Sequence, residues 1–155
     1  MTLRLARLIG ALAILGVGAV HLQQYATGYS VVPTIGTLFM LNAISAGVVG
    51  FCLLLPLQRM LGSSRGNAAV GVLALAGVAI AVGALVALFI SESTTLFGFS
   101  EGGYDTPIVI AIAVEALATV VLTPLAAVSF RRAATQPAQR PQPRRPAGYA
   151  ASRSA

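Results

Sequence analysis

The feature that most constrains this chain is a set of four apolar runs, from about Leu5 to Tyr25, Pro33 to Leu57, Asn67 to Ile90 and Thr106 to Phe130. Each is close to the twenty residues with which a helix rising about 1.5 Å per residue crosses about 30 Å of hydrocarbon. Hydrocarbon offers no water to backbone N–H and C=O groups, so a spanning segment must satisfy them itself. A spanning strand would need about ten alternating residues in a closed barrel, and that pattern is absent. With 57% hydrophobic and 9% charged residues, the chain also lacks the polar surface of a soluble fold. The expected fold class is therefore all-α: a transmembrane four-helix bundle over residues 1–130, followed over 131–155 by a disordered, Arg/Pro-rich cytoplasmic tail.

Prolines punctuate these runs. Pro33 and Pro107 fall in the first turn of their helices, where a missing N–H costs nothing. Pro56 and Pro124 lie near the far ends of theirs and are expected to bend or stop them. Arg4 and Arg7 precede an apolar stretch holding Gly16 and Gly18, which weakly resembles a cleavable signal. The stretch continues past those glycines without a polar exit, so it is read as a retained span.

Orientation follows from the arginines, because short cytoplasmic loops hold the basic excess. Arg4 and Arg7, Arg59 and Arg65, and Arg131 and Arg132 all fall on one side of a four-span chain. The segments Ala26 to Val32 and Ser91 to Asp105 hold no basic residue, and the second holds Glu92, Glu101 and Asp105. Both termini are thus expected in the cytoplasm. The use of arginine to the exclusion of lysine, with the excess of Ala, Gly and Val, suggests a bacterial, GC-rich source and hence the bacterial cytoplasmic membrane.

The net charge of +6 does not signal nucleic acid. Up to Phe130, four arginines balance Glu92, Glu101, Asp105 and Glu115. The excess lies in Arg131, Arg132, Arg140, Arg144, Arg145 and Arg153, within a tail rich in proline and poor in large apolar residues that cannot bury enough to fold. Its expected partners are anionic lipid head groups. Removal of the tail after Arg132 is expected to leave folding intact. The single cysteine, Cys52, builds no disulfide and no cysteine-based zinc site within one chain.

Small residues recur at a spacing of four: Ala79, Gly83 and Ala87; Ala43 and Gly47; Asn42, Ala46 and Gly50. Such ladders let helix backbones approach closely, as seams of the bundle or of a homo-oligomer.

The polar residues inside the spans carry the functional argument. An acid at the middle of a span costs about 2.5–3.5 kcal/mol. Glu115 stands nine positions into the fourth span, roughly 13 Å from its outer end at 1.5 Å per residue. Thr119 follows it by one turn. Asn42 is nine positions into the second span, hence at the same depth. His21 lies near the outer end of the first span, with Gln24 and Tyr25 on its face. Two readings of this cluster stay open. In one, Asn42 donates to a protonated Glu115 and the contact locks packing; in the other, Glu115 exchanges a proton or coordinates a cation with His21 as relay or second ligand. The lone histidine does not supply a haem or metal shell, so no cofactor and no metal site are expected. No nucleophile stands beside a base, no phosphate-cradling glycine loop follows a strand and no paired carboxylates share a span, so an enzyme is not expected. Phe97, Phe99 and Tyr104 in the segment LFGFSEGGYD suit an interfacial aromatic belt.

The stretch HLQQYATGYSVVPTIGTLFMLNAISA, from His21 to Ala46, with the later FGF and the Glu115 span, resembles a group of small uncharacterised four-span proteins of actinobacteria. The resemblance covers most of the chain except the tail. It implies four spans and no particular activity. The expected function is a structural or accessory subunit of a membrane assembly, with a membrane-protein partner or second copy; the alternative is a small carrier or sensor with an intramembrane proton or cation site centred on Glu115.

Overall fold

The computed structural model describes residues 3–95, 97–98, 103 and 106–136. Among these the chain is all-helical. Helices α1 (Leu3–Thr27), α2 (Pro33–Leu54), α4 (Ser63–Ser93) and α5 (Thr106–Thr135) are each long and apolar enough to cross a membrane. A short helix α3 (Leu57–Leu61) joins α2 to α4, and a single 3₁₀ turn, Tyr29–Val31, joins α1 to α2. The long helices pack in a ring in the order α1, α2, α4, α5, with α5 closing back on α1. Successive helices run up and down, so Arg4, Arg7, Arg59, Arg65, Arg131 and Arg132 gather at one end of the bundle.

Its surface is that of a membrane protein. Leu12, Ile44, Val48, Phe51, Val72, Leu75 and Val120 point outward, whereas Ala11, Ala46, Ala74, Ala81 and Ala118 fill the interior beside the polar His21, Gln24, Asn67, Ser91, Glu115 and Ser129. An outside more apolar than the inside is stable where the surrounding medium is lipid and close helix approach supplies the packing. Where helices cross, glycine lets side chains sit on backbone: a Cβ on Gly50 would stand 2.5 Å from Leu15, and one on Gly77 2.6 Å from Leu122.

Several helix ends differ from the sequence reading. Pro56 does stop α2, but at Leu54 rather than Leu57, with Leu55 extended and Pro56 opening α3. Gly62, at φ +80° and ψ 164°, then reverses the chain into α4, a conformation that side-chain-bearing residues rarely adopt. Pro124 does not end α5, which continues to Thr135 with the proline ring exposed. At about 1.5 Å per residue, the 31 residues of α4 and 30 of α5 exceed the hydrocarbon thickness. Their polar turns next to the arginines stay helical beyond it, so the boundary at residue 130 falls inside α5.

That extension is tied down. Ser64 Oγ donates to the Ala133 carbonyl at 2.9 Å, and Asn67 Nδ2 donates to Gln136 Oε1 at 3.2 Å. The first residues assigned by sequence to a free tail are therefore bonded to α4. The remainder of the tail, and Phe99 and Tyr104 of the aromatic belt, lie outside the described residues.

The seam of α4 also differs. Its buried line is Asn67, Val70, Gly71, Ala74, Gly77 and Ala81, whereas Ala79 and Gly83 face outward and a Cβ on Gly83 would meet nothing within 4 Å. In α2, Ala46 and Gly50 are buried and Gly47 is open.

Candidate intramembrane site

At the end of the bundle away from the arginines, all four long helices stop short of filling the space between them. A cavity of about 110 Å³ remains there. Helix α1 contributes His21 and Gln24, α2 contributes Phe39 and Asn42, α4 contributes Ala87 and Ser91, and α5 contributes Ala111 and Glu115. Of the residues singled out by sequence, His21, Gln24, Asn42 and Glu115 thus share one cavity. Thr119 does not line it. Its hydroxyl donates to the backbone carbonyl of Glu115 at 2.8 Å, holding the helix turn and not the carboxyl group. Tyr25 is also absent from the lining.

The central contact is between His21 Nε2 and Glu115 Oε1, 3.6 Å apart, with the two residues only 7% and 2% exposed. The other ring nitrogen fixes the proton inventory. His21 Nδ1 lies 3.0 Å from the Val17 carbonyl oxygen, which can only accept, so Nδ1 carries hydrogen and Nε2 is the nitrogen turned toward the acid. With one further proton the contact is neutral overall, either as imidazole and carboxylic acid or as imidazolium and carboxylate. Removing that proton leaves a negative charge, and adding another leaves a positive one. A net charge of either sign is costly away from water, so the neutral form with one shared proton suits this position best. The separation exceeds the hydrogen-bonding range of about 2.7–3.2 Å.

Asn42 does not pair with Glu115, contrary to the packing reading. Its Oδ1 is buried without a hydrogen-bond partner among the described residues, although Asn42 lines the same cavity. A buried amide oxygen in that state costs about 1–3 kcal/mol unless a donor reaches it. The cavity is thus lined by an imidazole, a carboxyl group and a carboxamide from three different helices.

Aromatic residues form one wall. Phe39 packs against His21 with centroids 5.1 Å apart, and the Tyr29 ring stacks on Phe39 at 4.4 Å. Gly36 makes this possible. A Cβ there would stand 2.5 Å from the Tyr29 carbonyl oxygen, so the first turn of α2 seats the 3₁₀ turn directly against it. Sequence reasoning missed Tyr29, Phe39 and Ser91. Phe39 was accessible to it, three positions before Asn42 and so on the same helical face; Ser91 similarly follows Ala84 and Ala87 at helical spacing. Among the described residues no three His, Cys, Asp or Glu side chains group closely enough to hold a metal ion. No protein-family model, curated protein or solved structure matches this chain.

Proposed function

We propose that this membrane protein is a small carrier or sensor whose working element is the His21–Glu115 pair, exchanging a proton or admitting a small cation within the bundle. The observation that carries this reading is the placement of the only histidine of the chain against a buried acid from another helix, both lining one cavity between the helices. A contact serving only to lock packing needs no cavity beside it.

The test is infrared spectroscopy of the full chain in vesicles, following the carboxyl stretch that Glu115→Gln removes. Under this proposal the band changes with pH between about 5 and 9 or on addition of Na⁺ or K⁺, and Glu115→Gln abolishes any matching proton or cation flux while leaving thermal stability intact. Glu115→Leu abolishes it too but strands His21 Nε2, lowering stability by about 1–2 kcal/mol. A band indifferent to pH and to both cations would return Glu115 to a packing role.

A second reading, an accessory subunit of a larger assembly, is favoured by the outward-facing Gly83 and by a shallow groove between α1 and α2 lined by Gly18, Ala43 and Gly47. A stoichiometric partner after mild detergent extraction would support it. In either case we place the chain in the bacterial cytoplasmic membrane with the arginine end inside. In a Cys52→Ala background, Ser64→Cys is then shielded from impermeant thiol reagents in intact cells and Ser100→Cys reacts; labelling at position 64 overturns the orientation.

A further inference from the structure

The arginine end holds a second, larger cavity of about 450 Å³, away from the His21–Glu115 site. Arg4 and Arg7 enter it from α1, Arg59 from α3 and Arg132 from α5, with Gln58 and Asn67 between them. One arginine is fixed in place: Arg7 Nη1 donates to Gln58 Oε1 at 2.9 Å, and Gln58 Nε2 donates to Asn67 Oδ1 at 3.2 Å. Asn67 in turn holds Gln136, so the floor of the basin is a continuous chain of side-chain amides reaching from α1 to the end of α5.

Among the described residues no carboxylate compensates the charges in the basin. The only carboxylates among the described residues are Glu92, near the far end of α4, and Glu115, in the other cavity; none lies within ion-pair distance of these arginines. Four arginines from three helices line one basin, three of them exposed and Arg7 half-buried and held by Gln58, so an anion seated there could meet several guanidinium groups at once. Guanidinium forks match the paired oxygens of phosphate, and basic pockets between transmembrane helices at the head-group level are suited to that group.

We infer that this basin is a binding site for a phosphate-bearing anion, held by Arg4, Arg7, Arg59 and Arg132. The same chemistry is offered by the head group of an anionic phospholipid and by a soluble phosphate compound. The two sources are distinguished by titrating the purified full chain, in an uncharged detergent at constant ionic strength, with phosphatidylglycerol, phosphatidylcholine, inorganic phosphate or pyrophosphate, while following thermal unfolding and lipid retention by native mass spectrometry.

Stabilisation by phosphatidylglycerol but not phosphatidylcholine assigns the site to an anionic lipid; stabilisation by phosphate or pyrophosphate assigns it to a soluble ligand. In either case Arg59→Gln and Arg132→Gln each weaken binding about fivefold. Arg65→Gln and Arg131→Gln, at the same end but outside the basin, leave it unchanged. Arg59 is exposed on a short helix, so its replacement tests the site without threatening the fold. Equal losses for all four variants would reduce the effect to diffuse surface charge and overturn the proposal, as would indifference of the wild-type chain to every phosphate tested.

Discussion

The two ends of the bundle each hold a cavity, and the polar groups around the two are used differently. Toward the arginines, helices approach until side chains rest on bare backbone: Gly66 lies against the backbone of Leu57 and Gln58, Gly71 against the Phe130 ring, and Gly77 against Leu122. Side-chain amides stitch α1, α3, α4 and α5 together there. Toward the opposite end the helices enclose the smaller of the two cavities, a Cβ on the outward-facing Gly83 would meet nothing within 4 Å, and among the described residues the buried Asn42 Oδ1 has no hydrogen-bond partner. The difference lies in the side-chain bonding: at one end side chains bond from helix to helix, and at the other His21, Asn42 and Glu115 line the space between helices without a hydrogen bond joining them. A site inside lipid needs both, because unsatisfied polar groups are tolerated only where the surrounding packing over-determines their positions.

This contrast is broken or sharpened most directly by adding one carbon at each end. In Gly66→Ala the new Cβ meets Gln58 Cα at 2.5 Å and its backbone N at 2.7 Å. Backbone cannot swing aside as a flexible side chain does, so α3 must shift off α4, at a cost of about 1–3 kcal/mol. Gly83→Ala, with nothing within 4 Å, is neutral or stabilises by up to about 1 kcal/mol through helix propensity. Thermal unfolding of both variants in one detergent measures the pair. Equal costs would mean that the two ends are packed alike.

A smaller effect separates the ordered end of α5 from the tail. A chain cut after Gln136 retains the bonds from Ser64 to Ala133 and from Asn67 to Gln136; a chain cut after Arg132 loses both acceptors. The chain cut after Gln136 should match the full chain in thermal stability, and the chain cut after Arg132 should fall below it by about 1–2 kcal/mol. Equal stability of the two truncations would show that the amide network is ornamental.

Much of the fold was legible because bilayer thickness fixes span length, and four runs of that length leave one solution. The polar residues were legible for a related reason: His21, Asn42 and Glu115 stand out wherever everything else is apolar. What escaped was rotational. In a span such as α4, apolar on every face, no polar stripe marks the outside, so the ladder Ala79, Gly83, Ala87 was as plausible a seam as Gly77 and Ala81, which hold the position. Depth was readable from counting, but pairing was not; Asn42 and Glu115 share a level without a hydrogen bond, and the partner of Glu115 came from α1. The arginine basin escaped because Gln58 and Arg59 are brought to it by the short α3, which lies between Pro56 and Gly62 and has no apolar run to announce it.

The smallest expected effect on stability falls at the open end and carries the most information about it. Ala87 lines the cavity beside the His21–Glu115 pair, and Ala87→Leu would place three further carbons into about 110 Å³ of empty space. A void of that size accepts them without displacing α1 or α5, so stability should be unchanged or raised by about 0.5 kcal/mol. The same substitution removes the room that His21 and Glu115 need to close their 3.6 Å gap and that a cation or water would occupy. The carboxyl band of Glu115 should then cease to respond to pH or to added Na⁺ and K⁺, in a protein at least as stable as the wild type. Three carbons tolerated at position 87, where one is not tolerated at position 66, would establish the two packing regimes in a single measurement. A loss of about 1–3 kcal/mol at position 87 would instead show that the cavity closes in the membrane, and with it the case for a working site inside the bundle.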